Sequence, residues 1–312
     1  MGKQKVILDV DPGHDDAVAI LLAAKADSLD VLGISVVAGN QVIEKTVKNA
    51  LSICTLGRIQ HIPVYRGCSG PLVRDLITGA SHGESGLDGA SLPQPACDVQ
   101  DTHSVDFIID SVRANPGEVI VIPTGPLTNV AVAITKAPDL KEKIKRIVLM
   151  GGAMYIGNRT PSAEYNIWAD PEAAKIVFGS GIPITMVPLE VTHKALIMED
   201  EVRAIRSLDN IISATIGDLL EFFVDSYRRV FGLEGAALHD PCAVAAVIDP
   251  SLVKTQRMYV AIETSGELTT GRTVCDVNGV MPREPNVDVG VDLDKQGFMR
   301  LLFGTLGQYP AE

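Results

Sequence analysis

The sequence predicts an α/β protein with a mainly parallel sheet and helices on both faces. Short β-branched apolar runs alternate along the chain with stretches of helical period, which is the rhythm of βαβ units. The polar clusters fall where those runs end. Sheets of this kind bind ligands there, outside the carboxyl ends of the strands.

Residues 5–10 read as a buried strand and 15–25 as a helix, followed by a strand over 31–38 and a helix over 42–56. Residues 118–122, 147–150 and 184–188 are further strand-like runs, with helical patterns at 105–113, 127–136 and 171–178. Two regions break the rhythm. Residues 67–95 are rich in Gly, Pro and Ser without a period; a loop this long inside a compact domain is functional or mobile. His82-Gly-Glu-Ser-Gly-Leu-Asp-Gly89 within it reads as a hinged lid. Residues 211–231 form a long apolar-rich helical pattern ending at Gly232, which runs up to His239-Asp240-Pro241 and a helix over 242–248. The tail over 260–293 reads as hairpin-like strands, and 296–306 as a closing helix. No repeat or linker divides the chain, so 1–312 reads as a single domain.

The formal charge of −12 disfavours nucleic-acid polymers and anionic membrane surfaces as partners. It places no bar on a neutral small molecule. The 5 cysteines are odd in number, and no CxxC pair is present. A reducing compartment follows. No stretch has the length of a signal-peptide core or a membrane span, and Val6 stands where a myristoylation signal needs Ser or Thr. The expected location is cytoplasmic.

Asp9, Asp11, Asp15 and Asp16 crowd into residues 9–16, directly after an apolar strand. Asp9 and Asp11 are two apart, so they point the same way from the strand. Pro12-Gly13 then turns the chain into a helix that opens with Asp15 and Asp16. One Asp at a helix start needs no more than the macrodipole. Four together repel, and a hard divalent cation such as Ca2+ or Mg2+ relieves them.

Further polar groups follow the other strands. In Pro123-Thr-Gly-Pro-Leu-Thr-Asn129, Thr128 or Asn129 can cap a helix, and a backbone carbonyl of the turn is an oxygen ligand suited to Ca2+. Asn158, Glu164 and Asn166 lie in a polar stretch, with Glu164 and Asn166 two apart in what reads as an extended segment. Amides and carboxylates of that kind suit sugar hydroxyls, although loop polarity alone also accounts for them. His239-Asp240 is either a helix cap or a titratable proton donor beside a hard ligand. His82 is either surface or site. Trp168 is the only tryptophan, and taken alone it reads as core.

The run from Asp9 to Asp16 resembles the signature of the nucleoside hydrolases, the inosine-uridine hydrolase family. The likeness extends to Val37-Ala-Gly-Asn40, Pro123 through Asn129, Met150-Gly-Gly152, Glu164 through Pro171 and His239-Asp240-Pro241, in the family's order. It implies a Rossmann-like domain, a homodimer or homotetramer, and Ca2+-dependent hydrolysis of a ribonucleoside to base and ribose. By the same resemblance Asp11, Asp16, Asp240 and the Thr124 carbonyl hold the Ca2+, and Asp11 is the general base. Asp15, Asn40, Asn158, Glu164 and Asn166 hold the ribose, His239 sits beside the leaving base, and Asp9 supports the metal site from behind. His82 in the loop resembles the pyrimidine-preferring bacterial members, which pair it with a second histidine such as His239. Uridine and cytidine are therefore the expected substrates, with base-nonspecific or purine-preferring hydrolysis as the alternative. Trp168, Tyr227 and Phe231 are candidates for the base pocket, and His82 for a proton donor or a lid residue.

Three rivals are weaker. A haloacid-dehalogenase-like phosphatase also starts with Asp-x-Asp, but it wants Thr or Val where Gly13 stands. A dinucleotide-binding dehydrogenase needs a GxGxxG after the first strand, and none is present. A Ca2+-dependent nucleoside-binding protein would keep the metal and ribose groups without turnover.

Overall fold

The computed structural model describes residues 2–79 and 81–311. The chain runs through β1 (Gln4–Val10), α1 (His14–Lys25), β2 (Leu29–Val36), α2 (Ile43–Leu56) and β3 (Val64–Arg66). It continues through α3 (Ser104–Ala114), β4 (Ile120–Pro123), α4 (Thr128–Lys136), β5 (Arg146–Met150), α5 (Tyr165–Ala169), α6 (Pro171–Phe178) and β6 (Ile184–Val187). Next come α7 (Leu189–Thr192), β7 (Leu196–Ile197), α8 (Glu199–Arg206), α9 (Ser213–Phe231), β8 (Ala236–Ala237) and α10 (His239–Ile248). The last elements are β9 (Val253–Met258), β10 (Val260–Ile262), β11 (Thr273–Cys275), β12 (Val287–Leu293) and α11 (Lys295–Leu306).

The central sheet has 8 strands in the order β3-β2-β1-β4-β5-β6-β12-β9. From β1 the chain builds outward to β3 on one side, then returns to β4 on the other. This reversal makes the carboxyl ends of β1 and β4 the crevice of a Rossmann-like sheet. Both flanks of β1 pair in parallel, with β2 and with β4. Its side chains alternate between two apolar layers: Val6, Leu8 and Val10 enter one, and Ile7 enters the other. A strand buried on both faces needs a continuous apolar run, and residues 6–8 supply it.

Three expectations change. The tail is not a set of hairpins throughout. β10 and β11 form an antiparallel pair, but β12 enters the main sheet, parallel to β6 and antiparallel to β9. Val287 and Val289 carry it there because both are fully buried. Residues 164–166 are not extended either: Glu164 caps α5, and Asn166 lies within its first turn. Finally, α10 opens at His239 rather than at residue 242.

Asp170 knits the polar edge of the sheet. Its Oδ1 accepts from the Ala173 N–H at 3.0 Å, capping α6. Its Oδ2 accepts from Thr128 Oγ1 at 2.7 Å and from the Leu72 N–H at 2.9 Å, tying down the long loop. Asp170→Ala removes a cap and strands buried donors, so we expect a loss of about 2–3 kcal/mol. Urea denaturation reads this as a lower midpoint at unchanged slope.

Candidate active site

β1 ends under the crevice, and its last carboxylates do not face water. Asp9 Oδ1 accepts from Ser35 Oγ at 2.6 Å and from Asn129 Nδ2 at 2.8 Å. Its Oδ2 has no partner, and burial pushes the group up to about 6. Asp11 is buried as well. Its Oδ2 accepts from the Asn40 N–H at 2.7 Å, while Oδ1 is buried without a partner. Gly39 and Gly125 leave room for it: a Cβ at either would lie 2.1 Å or 2.6 Å from an Asp11 carboxylate oxygen.

The start of α1 adds two more acids. Asp16 Oδ2 accepts from the Gly13 N–H at 2.9 Å, and Oδ1 accepts from Thr124 Oγ1 at 2.9 Å. Asp15, Asp16 and Asp240 bring carboxylate oxygens within 4.8 Å of one another, with Asp240 arriving from the first turn of α10. Burial raises all of them. It carries Asp15 to about 7, and repulsion from Asp16 adds to it. Asp11 and Asp240 are held well above the usual carboxylate range by burial and then by their acidic neighbours. Among the described residues no ion pair reaches any of the four. Hard oxygen donors, a partnerless Asp11 oxygen and no protein cation together fit a divalent metal ion.

Above this floor lies a cavity of about 140 Å³. Asp15, Asn40, Thr124, Asn158, Glu164, Asn166 and Asp240 line one end, and His82, Tyr227, Phe231 and His239 the other. Asp11 and Asp16 lie beneath the lining rather than in it.

The wall is held by its own hydrogen bonds. Glu164 accepts from the Gly152 and Asn166 N–H groups, both at 2.8 Å, and burial still carries its carboxyl to about 7. Asn166 Nδ2 donates to the Thr124 carbonyl at 2.6 Å and to the Met150 carbonyl at 3.2 Å. Asn158 Oδ1 accepts from the Tyr165 N–H at 2.9 Å. The amide groups left over, Asn166 Oδ1 and Asn158 Nδ2, offer opposite polarities to a ligand.

Trp168 does not line the cavity. Two residues along a helix turn a side chain by roughly 200°, so α5 directs Trp168 away from Asn166. Its ring instead carries the Arg159 guanidinium at 4.6 Å.

The far end is built of neutral groups. His239 Nδ1 lies 2.7 Å from Thr192 Oγ1, and its Nε2 lies 2.5 Å from the Tyr227 hydroxyl. Burial lowers His239 to about 3 and holds the Tyr227 phenol well above its ordinary value. Burial, with His14 and His239 nearby, also keeps His82 well below the usual histidine range. Sequence reading missed His14, Thr192, Arg159 and Tyr165. His14 and Tyr165 stood within motifs, where the flanking carboxylates and amides drew the attention.

The family model for the inosine-uridine preferring nucleoside hydrolases matches residues 6–300. The chain belongs to that family. The pyrimidine-specific ribonucleoside hydrolase RihA of Escherichia fergusonii is 46% identical over 306 residues, covering 97% of this chain and 98% of the relative. A purine-preferring ribonucleoside hydrolase from Gardnerella vaginalis superposes with a TM-score of 0.92 at 36% identity, covering 97% of this chain and 98% of the other. A plant nucleoside hydrolase gives 0.91 at 32% identity, with 98% and 99% covered. Nucleoside hydrolases are metal-dependent glycosidases, and this chain carries an acidic cluster of Asp15, Asp16 and Asp240.

The raised carboxylates link stability to pH. In the metal-free chain the acid form is the one the fold prefers. That stability is complete below about pH 4, where an unfolded Asp titrates. It is lost as pH rises through the folded value of about 7 for Asp15 and Glu164. A bound divalent cation offsets the loss. Melting with chelator and with metal at pH 5 and pH 8 should give a metal-induced rise in Tm that is larger at pH 8. An equal rise at both values would contradict the linkage.

Proposed function

We propose that this nucleoside hydrolase cleaves the N-glycosidic bond of ribonucleosides with Ca2+ bound, giving free base and ribose, and that it prefers uridine and cytidine. The observation that carries the reading is Asp11 Oδ1, a buried carboxylate oxygen with no protein partner beneath the cavity. Such an oxygen is free to take a proton from an attacking water. Asp11, Asp16, Asp240 and the Thr124 carbonyl would hold the Ca2+, which when bound would supply positive charge to a ribose diol and lower the pKa of a nearby water.

Breaking the bond builds positive charge on the ribose ring. Asn166 Oδ1 and the Asp15 carboxylate offset it from the cavity wall, while Asn40, Asn158 and Glu164 orient the hydroxyls. One water adds directly, with inversion.

The departing base needs a proton. Thr192, His239 and Tyr227 form a hydrogen-bonded chain at 2.7 Å and 2.5 Å. With Thr192 donating to His239 Nδ1, and His239 Nε2 donating to the Tyr227 oxygen, the Tyr227 proton is free to point at the base. Phe231 covers the same end.

Base preference draws support from two sides. The RihA relative at 46% identity is named pyrimidine-specific, and the cavity lining contains no tryptophan for stacking a purine. Purine preference stays the second reading, because the Gardnerella vaginalis neighbour at 36% identity is named purine-preferring. A cytoplasmic location fits the 5 free cysteines, and no helix among the described residues is long and apolar enough to cross a membrane. One domain, a mobile 67–95 segment and a homo-oligomer, dimer or tetramer, complete the reading by family resemblance; sedimentation decides the last.

A reducing-sugar assay with uridine, cytidine and inosine, with and without chelator, tests the proposal. We expect ribose from the pyrimidine nucleosides, slower release from inosine, and loss with chelator restored by Ca2+. Faster release from inosine would install the second reading. Asp11→Asn should lower kcat about 10²–10⁴-fold with the circular dichroism spectrum unchanged; near-normal turnover would remove Asp11 from the base role.

A further inference from the structure

The β10–β11 ribbon has no part in the chemistry described so far. It stands outside the main sheet. Val260 and Ile262 seat it in the apolar layer that also holds Ile167 of α5. Thr273 opens β11 opposite Ile262 and is buried.

The Thr273 hydroxyl makes two hydrogen bonds to a single residue. Oγ1 donates to the Ala153 carbonyl at 2.6 Å and accepts from the Ala153 N–H at 2.9 Å. A hydroxyl has one hydrogen to give and lone pairs to receive another, so both bonds form at once. Ala153 is buried, and neither of its backbone groups has another partner among the described residues. A buried backbone group without a partner is costly, so this hydroxyl decides how the segment lies.

Ala153 follows Gly152, whose N–H donates to Glu164 Oε2 at 2.8 Å. The other N–H donors to that carboxylate, from Asn166 and Ile167, belong to α5 and travel with Glu164. Gly152 is the donor that ties the carboxylate to the end of β5. The peptide unit between Gly152 and Ala153 is gripped on both sides, since the Gly152 carbonyl accepts from the Leu189 N–H at 3.0 Å. Gly152 has a φ of +78°, and a Cβ on it would lie 2.8 Å from Thr273 Cγ2. The Thr273 methyl thus packs against the residue next to the one its hydroxyl holds. The ribbon also meets the helix that Glu164 caps. A Cβ on Gly271 would lie 2.6 Å from Trp168 Cα, so the backbones touch there. The surroundings of Glu164 are therefore braced from the loop that donates to it and from the helix it caps.

We propose that Thr273 is a positioning residue for Glu164. Through Ala153 and Gly152 it fixes the direction of the Gly152 N–H, and with it the Glu164 carboxylate on the cavity wall. The inference rests on the proposed function only in taking Glu164 to meet the hydroxyls of a nucleoside.

The test uses the full chain with Ca2+ and uridine. Thr273→Val keeps the methyl and the shape but removes the hydroxyl. It should lower kcat/KM about tenfold, the scale of one lost hydrogen bond, and Thr273→Ser should recover most of that loss. A double-mutant cycle separates positioning from general loosening. In a Glu164→Ala background, Thr273→Val should cause no further loss. An unchanged kcat/KM in Thr273→Val, or a tenfold loss that persists in Glu164→Ala, would overturn the proposal. Amide hydrogen exchange at Gly152, read by NMR without turnover, should be faster in Thr273→Val and native in Thr273→Ser; native exchange in Thr273→Val would also overturn it. Should Thr273→Val not fold, Thr273→Ala leaves room for a water at Ala153 and is read the same way. If the wild-type chain releases no ribose, the functional reading fails while the exchange still decides whether Thr273 holds Gly152.

Discussion

Everything in this active site follows from burying four like charges at the one place where the sheet reverses direction. Asp15, Asp16 and Asp240 approach within 4.8 Å, and Asp11 adjoins Asp16 from the end of β1. Two unit charges about 4 Å apart repel by about 4 kcal/mol at an effective dielectric near 20. The N-terminus of α1 returns only about 0.3–1 kcal/mol per charge. Hydrogen bonds from Gly13 and Thr124 serve Asp16 alone. The repulsion wins, so these groups are either protonated or gathered around a cation. A divalent ion is the one solution that keeps them anionic at neutral pH.

The same constraint shapes the backbone around them. Gly39 and Gly125 stand where a Cβ would collide with Asp11, and Gly13 stands where one would collide with His82. The glycines after β2 and β4 thus give Asp11 its room, and the glycine after β1 gives His82 its room. Asn166 then reaches across from α5 to the Thr124 carbonyl at 2.6 Å, locking the turn after β4 to the cavity wall. Glu164 belongs to this framework as much as to the ligand surface, since three backbone N–H groups, from Gly152, Asn166 and Ile167, point at its carboxylate.

The sequence made the acid floor legible because charge density at a strand end has few physical explanations. It made β1, α1, β2 and α2 legible because their apolar runs are long enough to show a period. Where elements are short or their partners remote, the signal vanishes. β3 has 3 residues, too few to display alternation. β12 looks like half of a hairpin, yet its parallel partner β6 lies about a hundred residues earlier. The clearest failure is α5, whose 5 residues are too short for a helical period. Read as extended, it puts Glu164, Asn166 and Trp168 on one side; wound as a helix, it sends Trp168 outward. His14 stayed hidden because its partners, His82, Asp88, Phe222 and Phe223, come from two distant segments.

The two ends of the cavity have opposite electrostatic character, and that division suits the reaction. Under the proposed reaction the carboxylates of the cavity would favour the positive charge that develops as the glycosidic bond stretches. Three buried histidines, His82 and His239 in the lining and His14 stacked behind His82, are all pushed below their ordinary value by burial. Were they cationic, they would repel the developing charge on the sugar and lend the metal site a second, competing set of positive groups. Kept neutral, they act through hydrogen bonds whose direction is set by tautomer. Under the proposed reaction Tyr227 is the group whose proton points at the base, and burial, with the nearby carboxylates of Asp15, Asp240 and Glu164 adding to it, holds its phenol above its ordinary value.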